Sequence, residues 1–342
     1  MLKTSFQVAA TYVGAVMGAG FASGQEIQQF FVRFGPWGLL GIMASAVLFA
    51  WLGWVMLDLQ ENWRSATYPE FFLSLFGDSL GKVADILVSI LLLLGMLAML
   101  SGSGALFNEY FGLSRWLGIW LTAGVIGLAL WYRGEGVLWI NSVLIPLKFA
   151  FCLGIALLAF FWAKSGDGEG LPLEPSLLLG HWLVAAILYV SLNLTLAMVV
   201  FASLGRTIQK PGARLGAVAG GVALGLFAMV IGAALLRFPE VSGLEIPMVA
   251  VAAKLGDWPA FLYVVVLWLA MLTAAIGNGF SLVSRIVDSG FTSYHWASFL
   301  VLSAVVPLAG MRFSQIVKIG YPIFGYMGLV FLPVLFYHWY RG

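Results

Sequence analysis

Residues 14–24 read Gly14-Ala15-Val16-Met17-Gly18-Ala19-Gly20-Phe21-Ala22-Ser23-Gly24, which places four glycines within eleven residues of an apolar stretch. Glycine costs about 1 kcal/mol relative to alanine in a helix interior, so this cluster favours local unwinding. Gly14 and Gly18 also fit the small-xxx-small pattern of close helix packing, which stays open as the alternative. The density of glycines favours the break, and Ser23-Gly24-Gln25-Glu26 is typical of the start of a second half-helix. Unwound backbone here would offer amide donors to an anion and carbonyls to a cation.

The composition around this stretch is that of an integral membrane protein. The 342 residues are 62% hydrophobic and only 9% charged, and their mean hydropathy is +1.00. A spanning helix needs about 20 apolar residues, and ten stretches of the sequence qualify. We predict an all-α chain with helices at 4–33, 38–60, 80–107, 115–132, 138–163, 178–204, 212–236, 258–286, 292–310 and 315–339. The connections are short, so residues 1–342 form a single transmembrane domain.

Charge sets the predicted orientation and excludes one class of partner. The net charge of +2 is too small, and too scattered, for nucleic-acid binding. The sixth connection is basic and the fifth is acidic, which by the positive-inside rule places the sixth connection and both termini in the cytoplasm. The residues concerned are Arg206, Lys210 and Arg214 in the sixth connection, and Asp167, Glu169 and Glu174 in the fifth. We therefore expect a multi-pass protein of a plasma membrane, here the cytoplasmic membrane of a prokaryote.

An internal repeat relates the two halves of the chain. Tyr12-Val13 recurs as Tyr189-Val190, the string Leu97-Ala98-Met99-Leu100 recurs at 269–272, and Pro146 recurs as Pro322, at separations of 172 to 177 residues. These matches define repeat one at about 1–165 and repeat two at about 175–342. Five helices per repeat is an odd number, so the second copy would cross the membrane in the opposite sense. Inverted 5+5 repeats of this kind are typical of secondary transporters.

The repeat also predicts a second broken helix. The sixth helix carries Ser191-Leu192-Asn193-Leu194-Thr195 at the depth of the glycine cluster, and three polar side chains in five residues are unusual in lipid. Ser101, on the third helix, is the repeat mate of Thr273 and is expected to flank the same cavity. The predicted substrate-binding residues are Gly18, Ala19, Gly20, Phe21, Ala22, Ser23, Ser101, Ser191, Asn193 and Thr195.

Together these features resemble the LeuT-type fold of the amino acid-polyamine-organocation (APC) superfamily. The string from Val13 through Gly18-Ala19-Gly20-Phe21-Ala22-Ser23-Gly24 to Glu26 further resembles the YkvI-like membrane proteins, a group regarded as amino-acid permeases. The resemblance implies broken helices 1 and 6, and alternating access by rocking of helices 1, 2, 6 and 7. It implies symport of an amino acid or similar small molecule, and a connection after helix 7 that closes over the site. Packing of that connection against the outer faces of other helices is the alternative.

Two coupling ions remain open. The resemblance implies a Na⁺ site at Gly14 and Met17 of helix 1 and at Ala270 and Thr273 of helix 8, but Ala274 stands where sodium-coupled members carry a hydroxyl. That substitution removes an oxygen ligand of the kind hard cations need.

Two intramembrane charges bear on H⁺ coupling. Lys148 follows Asn141 by seven residues, as in proton-coupled and sodium-independent permeases. A lysine at the membrane centre costs about 3 kcal/mol or more if it faces lipid, so we expect it to face protein or water. A purely structural lysine is the alternative. Glu26 is predicted either to cap a half-helix or to contact a substrate amine. H⁺ coupling through Lys148 is slightly favoured over Na⁺.

These observations leave two hypotheses from different classes. The first is a secondary transporter of a small polar solute, an amino acid by resemblance. The second is an amino-acid-sensing receptor subunit of the same fold, which would need partner proteins. We predict no cofactor and no enzymatic activity, because the three histidines lie near predicted helix ends without a neighbouring carboxylate. They are His181, His295 and His338.

Overall fold

The computed structural model describes residues 1–63, 68–132, 137–164, 176, 178–203 and 211–341, and every structural statement below refers to them. The regular structure in these ranges is helical. The first apolar segment is divided: α1 (Leu2–Val16) ends before Met17 and Gly18, and α2 (Ala19–Ala22) is separated by Ser23 and Gly24 from α3 (Gln25–Phe30). The predicted break in the first helix is confirmed.

Twelve further α-helices follow along the described chain. They are α4 (Pro36–Trp63), α5 (Tyr68–Phe111), α6 (Arg115–Trp131), α7 (Val137–Trp162), α8 (Trp182–Ser203), α9 (Ala213–Arg237), α10 (Pro247–Ala253), α11 (Asp257–Asp288), α12 (Tyr294–Leu308), α13 (Phe313–Gln315), α14 (Tyr321–Gly328) and α15 (Phe331–Arg341). A π-helical turn, Ile316–Gly320, joins α13 to α14. The residues between α9 and α11, 238–256, are called the α9–α11 connection below.

Five helical segments are long and apolar enough to cross a membrane: Pro36–Gln60, Asp85–Phe111, Ala213–Arg237, Asp257–Asp288 and Phe313–Arg341. Four shorter apolar helices, Arg115–Trp131, Leu147–Trp162, Trp182–Met198 and Tyr294–Leu308, accompany them. Large apolar side chains such as Trp120, Leu226 and Phe299 are exposed on the outside of the bundle, where lipid accommodates them. The chain is a multi-pass membrane protein.

Polar contacts between helix ends lie on two opposite faces of the bundle. On one face, the Ser5 hydroxyl donates to the Gly212 carbonyl at 2.7 Å, and Arg214 at the start of α9 pairs with Asp58 near the end of α4 at 2.8 Å. On the other face, the α9–α11 connection meets the end of α5 and the start of α6. The basic and acidic residues that predicted the orientation, Arg214 apart, lie outside the described residues.

At two positions of the α4–α9 seam, glycine lets the backbone of α9 lie directly against α4. A Cβ atom on Gly221 would lie 2.3 Å from the Ala50 nitrogen, and one on Gly225 would lie 2.1 Å from the Ala46 Cβ. Small residues are what allow two membrane helices to approach so closely. Only glycine fits these two positions, so α4 and α9 pack as one unit.

The predicted break in the sixth helix is wrong over the described range. The corresponding helix, α8, runs without interruption from Trp182 to Ser203. Two of its polar residues bond within the helix: the Asn193 amide donates to the Tyr189 carbonyl at 2.9 Å, and the Thr195 hydroxyl donates to the Ser191 carbonyl at 3.1 Å. Such bonds to the carbonyl four residues earlier bury a polar side chain in a membrane helix without unwinding it. The segment also lacks glycine and proline.

Candidate functional site

The centre of the candidate site is the unwound backbone between α1 and α2. Met17 has φ −77° and ψ 73°, and Gly18 is extended with φ −69° and ψ −179°. The Met17 amide completes the last helical bond, to the Val13 carbonyl at 2.8 Å, whereas the Gly18 amide turns to the Val16 carbonyl at 2.9 Å. Because Gly18 does not bond to Gly14, the Gly14 carbonyl loses its helical donor. Backbone oxygen of this kind can accept a hydrogen bond or bind a cation.

The turn between α2 and α3 is held by Ser23. Its hydroxyl donates to the Gly20 carbonyl at 2.7 Å and accepts the Gln25 amide at 3.2 Å. Its own carbonyl accepts the Met248 amide of α10 at 3.0 Å. Gly24 has φ +82°, and a Cβ atom there would lie 2.7 Å from the Met248 Cγ. The α9–α11 connection therefore lies directly on the broken helix, and the Ser23 side chain is engaged in shaping the turn.

Lys148 lies on α7, one helical turn before Cys152. Cys152 lies beside Tyr263 of α11, and the Tyr263 hydroxyl donates to the Ala22 carbonyl at 2.6 Å. Lys148 thus sits close to the contact that ties α11 to the broken helix. Its side chain is 5% exposed, and the described residues supply it with neither a hydrogen bond nor an ion pair. An uncompensated cation in a protein interior is costly unless a ligand or proton transfer relieves it.

Glu26 is a second buried charge, in the first turn of α3. Its side chain is 4% exposed, and one carboxylate oxygen accepts the Tyr189 hydroxyl of α8 at 3.3 Å. The other oxygen packs against Gly20, where a Cβ atom would lie only 2.1 Å away. Tyr321 of α14 is close enough to interact electrostatically with the carboxylate. Among the described residues no cation pairs with Glu26.

The neighbouring glutamines carry unpaired polar atoms. Gln25 is 1% exposed, yet neither its side-chain nitrogen nor its oxygen has a hydrogen-bond partner in the described part of the chain. Gln28 donates from its amide to the Ser242 carbonyl, while its side-chain oxygen has no partner there. Buried polar groups are normally satisfied, so an orphaned carboxamide beside an unwound helix indicates a place where a ligand or water binds.

The remaining predicted residues are distributed around the break. Ser101 donates to the Met311 carbonyl at 2.5 Å, Ser191 donates to the Gly325 carbonyl at 2.8 Å, and Thr273 donates to carbonyls of its own helix. Ala19, Phe21 and Ala22 are buried within α2. The structure thus brings Gly20 together with Glu26, but the hydroxyls of Ser101 and Ser191 are occupied by the segment before α13 and by α14. Their role in binding substrate stays a prediction.

A charged cluster that the sequence did not predict fastens the α9–α11 connection. The carboxylate of Glu245 is bound by the Arg115 guanidinium, by the Arg312 Nε at 3.4 Å and by the Phe313 amide at 2.6 Å. The carboxylate of Glu109 accepts the Glu245 and Ile246 amides at 2.7 and 3.0 Å. This Glu245 cluster joins the ends of α5, α6 and α13 to the connection that lies on the broken helix.

Replacing Gly20 with alanine is expected to destabilise the protein, because the new methyl group would occupy the position of the Glu26 carboxylate oxygen 2.1 Å away. Displacing a packed, hydrogen-bonded side chain costs about 1–3 kcal/mol. Gly18→Ala is the matched control, since nothing lies within 4 Å of the added Cβ and its φ of −69° suits alanine. Apparent melting temperatures in detergent compare the two variants. Equal shifts would contradict the packing of Glu26 on Gly20.

Comparisons with known proteins agree with this architecture. No family model matches the chain. It is 29% identical over 333 residues to the uncharacterized membrane protein YkvI of Bacillus subtilis (strain 168), covering 96% of this chain and 94% of YkvI. It is also 29% identical over 328 residues to the uncharacterized protein YyaD of the same organism, covering 94% of this chain and 93% of YyaD.

Two solved structures share the fold. The chain superimposes on the Eremococcus coleocola manganese transporter in complex with an aromatic bis-isothiourea substituted compound, with a TM-score of 0.62 at 14% identity, covering 97% of this chain and 78% of that one. It superimposes on the inward-facing conformation of Mhp1 with a TM-score of 0.60 at 14% identity, covering 96% of this chain and 73% of Mhp1. The chain therefore has the LeuT-type fold of these transporters. Within that fold it is similar in sequence to the membrane protein YkvI.

Proposed function

We propose that this chain is a secondary active transporter that carries an amino acid across a prokaryotic cytoplasmic membrane by alternating access, driven by a coupling cation. The observation that carries the proposal is the interrupted α1–α3 unit with a buried, uncompensated charge of each sign beside it, Glu26 toward α8 and Lys148 on α7. Half-helices that expose backbone groups at mid-membrane are the usual substrate site of inverted-repeat transporters. Buried ionisable groups in membrane segments usually serve an ion or substrate pathway.

An amino acid suits such a site because it carries a charge of each sign. An isolated buried charge is unfavourable, and a ligand that offers the opposite charge relieves it on binding. The free carbonyls at the end of α1 and the unpaired carboxamide of Gln25 add acceptors and a donor. A zwitterion therefore finds more complementary groups here than an apolar solute does.

For the coupling ion we favour H⁺ over Na⁺. The Thr273 hydroxyl donates to the carbonyls of Leu269 at 3.0 Å and Ala270 at 3.2 Å, so the Ala270 carbonyl is partly engaged by its own helix. Ala274 offers no oxygen ligand from its side chain. Lys148, in contrast, is buried without an ion-pair partner in the described part of the chain, which suits a group that gains and loses a proton during transport.

Reconstituted protein tests the proposal directly. Proteoliposomes are loaded with buffer, and uptake of each of a set of radiolabelled amino acids is followed under an inward proton gradient, an inward sodium gradient and no gradient. We expect at least one amino acid to accumulate above equilibrium under the proton gradient. Accumulation under the sodium gradient alone would show that the coupling ion is Na⁺ rather than H⁺. Saturable binding without uptake under any gradient would overturn transport and indicate a receptor subunit instead.

Ten crossings with both termini in the cytoplasm form part of the proposal. Cys152 is the chain's single cysteine and is buried, so an introduced cysteine can be labelled against a low background. We expect Ser114→Cys, between α5 and α6, to react with a membrane-impermeant maleimide in intact cells. Ser289→Cys, after α11, is expected to react only after the cells are permeabilised. Labelling of both variants in intact cells would contradict the proposed topology.

A further inference from the structure

The carboxylate of Glu26 is buried without a positive charge to balance it. Its hydrogen-bond partner is the neutral Tyr189 hydroxyl at 3.3 Å, and the described chain places no lysine, arginine or histidine in contact with it. Removing a carboxylate from water costs several kcal/mol unless a cation or a proton neutralises it. The protein must therefore receive the neutralising charge from outside the polypeptide.

The surroundings of Glu26 favour a cation that donates several hydrogen bonds. One carboxylate oxygen lies against the bare backbone of Gly20, and no donor of the described chain bonds to it. Next in sequence, the Gln25 carboxamide is buried with both polar atoms unpaired. A bound proton would neutralise Glu26 through one of its two oxygens. A primary ammonium has three N–H donors and can serve both oxygens of the carboxylate.

Neighbouring backbone and aromatic groups position the Glu26 carboxylate. Gly20 has no Cβ, which leaves room for the carboxylate beside the α1–α2 break. Tyr189 is fixed by ring contacts with Phe30 at 5.2 Å and Phe31 at 5.1 Å, so its hydroxyl holds the carboxylate in one orientation. The π-helical turn that precedes Tyr321 packs against α3, and such turns occur frequently at functional sites.

We propose that Glu26, with Tyr189, forms a subsite that binds the protonated primary amine of the solute. Glu26 supplies the negative charge, and Tyr189 positions the carboxylate. The subsite selects solutes that carry an ammonium group and rejects their hydroxy counterparts, because a hydroxyl would leave the carboxylate uncompensated. This inference rests on the proposed function for the fate of the bound solute, but not for the binding itself.

Ligand-induced thermal shifts of the purified full chain test the subsite, since a ligand that binds the folded state raises its melting temperature. The probes are the twenty standard amino acids one at a time, the α-hydroxy acid counterpart of each one that binds, and methylammonium compared with tetramethylammonium. We expect at least one amino acid to bind ten times more tightly than its hydroxy acid. Methylammonium is expected to compete with it, whereas tetramethylammonium, which has no N–H, is expected not to compete.

The isosteric variant Glu26→Gln is expected to lose at least tenfold in affinity for the amine probe and to bind the hydroxy acid unchanged. Glu240→Gln, the same chemical change on the α9–α11 connection, is the matched control and is expected to bind as the wild type does. If Glu26→Gln does not fold, the comparison of amine and hydroxy probes on the wild-type protein tests the subsite by itself.

Each outcome has a distinct meaning. Equal binding of amine and hydroxy probes, no binding of any amine probe, or full amine affinity in Glu26→Gln would each overturn the subsite. Amine-selective binding that depends on Glu26, in a protein that accumulates no solute in proteoliposomes, would support the subsite and overturn transport.

Discussion

Glu245→Ala is expected to lower the stability of the folded protein by about 1–3 kcal/mol, because the buried Phe313 amide and the partly buried Arg115 guanidinium lose their acceptor. The Glu245 side chain is 3% exposed and binds Arg115 and Arg312, together with the Phe313 amide. The apparent melting temperature in detergent measures the loss, and we expect it to fall by several degrees. The exposed Arg312 contributes little, since solvent screens it.

Glu240→Ala provides the control on the same connection. Glu240 pairs with Lys254 at 2.8 Å, but their side chains are 22% and 35% exposed, and such pairs contribute about 0–1 kcal/mol. We expect its melting temperature to stay close to that of the wild type. If both variants lost the same stability, the Glu245 cluster would not be what fastens the α9–α11 connection.

The second large effect is expected from Lys148→Met, which replaces the buried ammonium with an apolar side chain of similar length. Because Lys148 has no ion-pair partner in the described part of the chain, its removal relieves a desolvation penalty, and stability is expected to be unchanged or higher. Proton-driven uptake, in contrast, is expected to fall at least tenfold. Functional residues commonly impose such a conflict between stability and activity.

Lys254→Met distinguishes this effect from a general effect of charge removal, since Lys254 lies on the α9–α11 connection and is ion-paired. Its proton-driven uptake is expected to remain within about twofold of the wild type, because a screened surface pair contributes little. Proton-driven uptake at the wild-type level in Lys148→Met would contradict a coupling role for the lysine. Na⁺ would then be the coupling ion to test.

The broken first helix was predictable because its cause is local. Four glycines in residues 14–24 weaken the helix wherever it is placed, and the structure interrupts it at Met17–Gly18 and again at Gly24. The all-helical, multi-pass character of the chain was equally local, since length and hydropathy alone identify apolar helical segments. The buried position of Lys148 followed from the cost of exposing a charge to lipid.

The sixth helix shows where this reasoning fails. Polar side chains indicate a break only if they cannot form hydrogen bonds within the helix. Asn193 and Thr195 do form such bonds, each to the carbonyl four residues earlier. The role of Tyr189 and the Glu245 cluster could not be predicted, because their partners lie 67 to 163 residues away in the chain. No periodicity within a single helix carries such pairings.

The α4–α9 seam has a mechanical consequence. Two helices separated by rotatable side chains can slide by changing rotamers, but at Gly221 and Gly225 backbone meets Ala50 and Ala46 directly, so sliding meets steric resistance at once. A tilt of α4 would carry α9 with it as a stiff lever. The far end of that lever continues into the connection whose Met248 amide bonds to the Ser23 carbonyl. Movement of α4 at one membrane face would therefore be transmitted through α9 to the unwound helix.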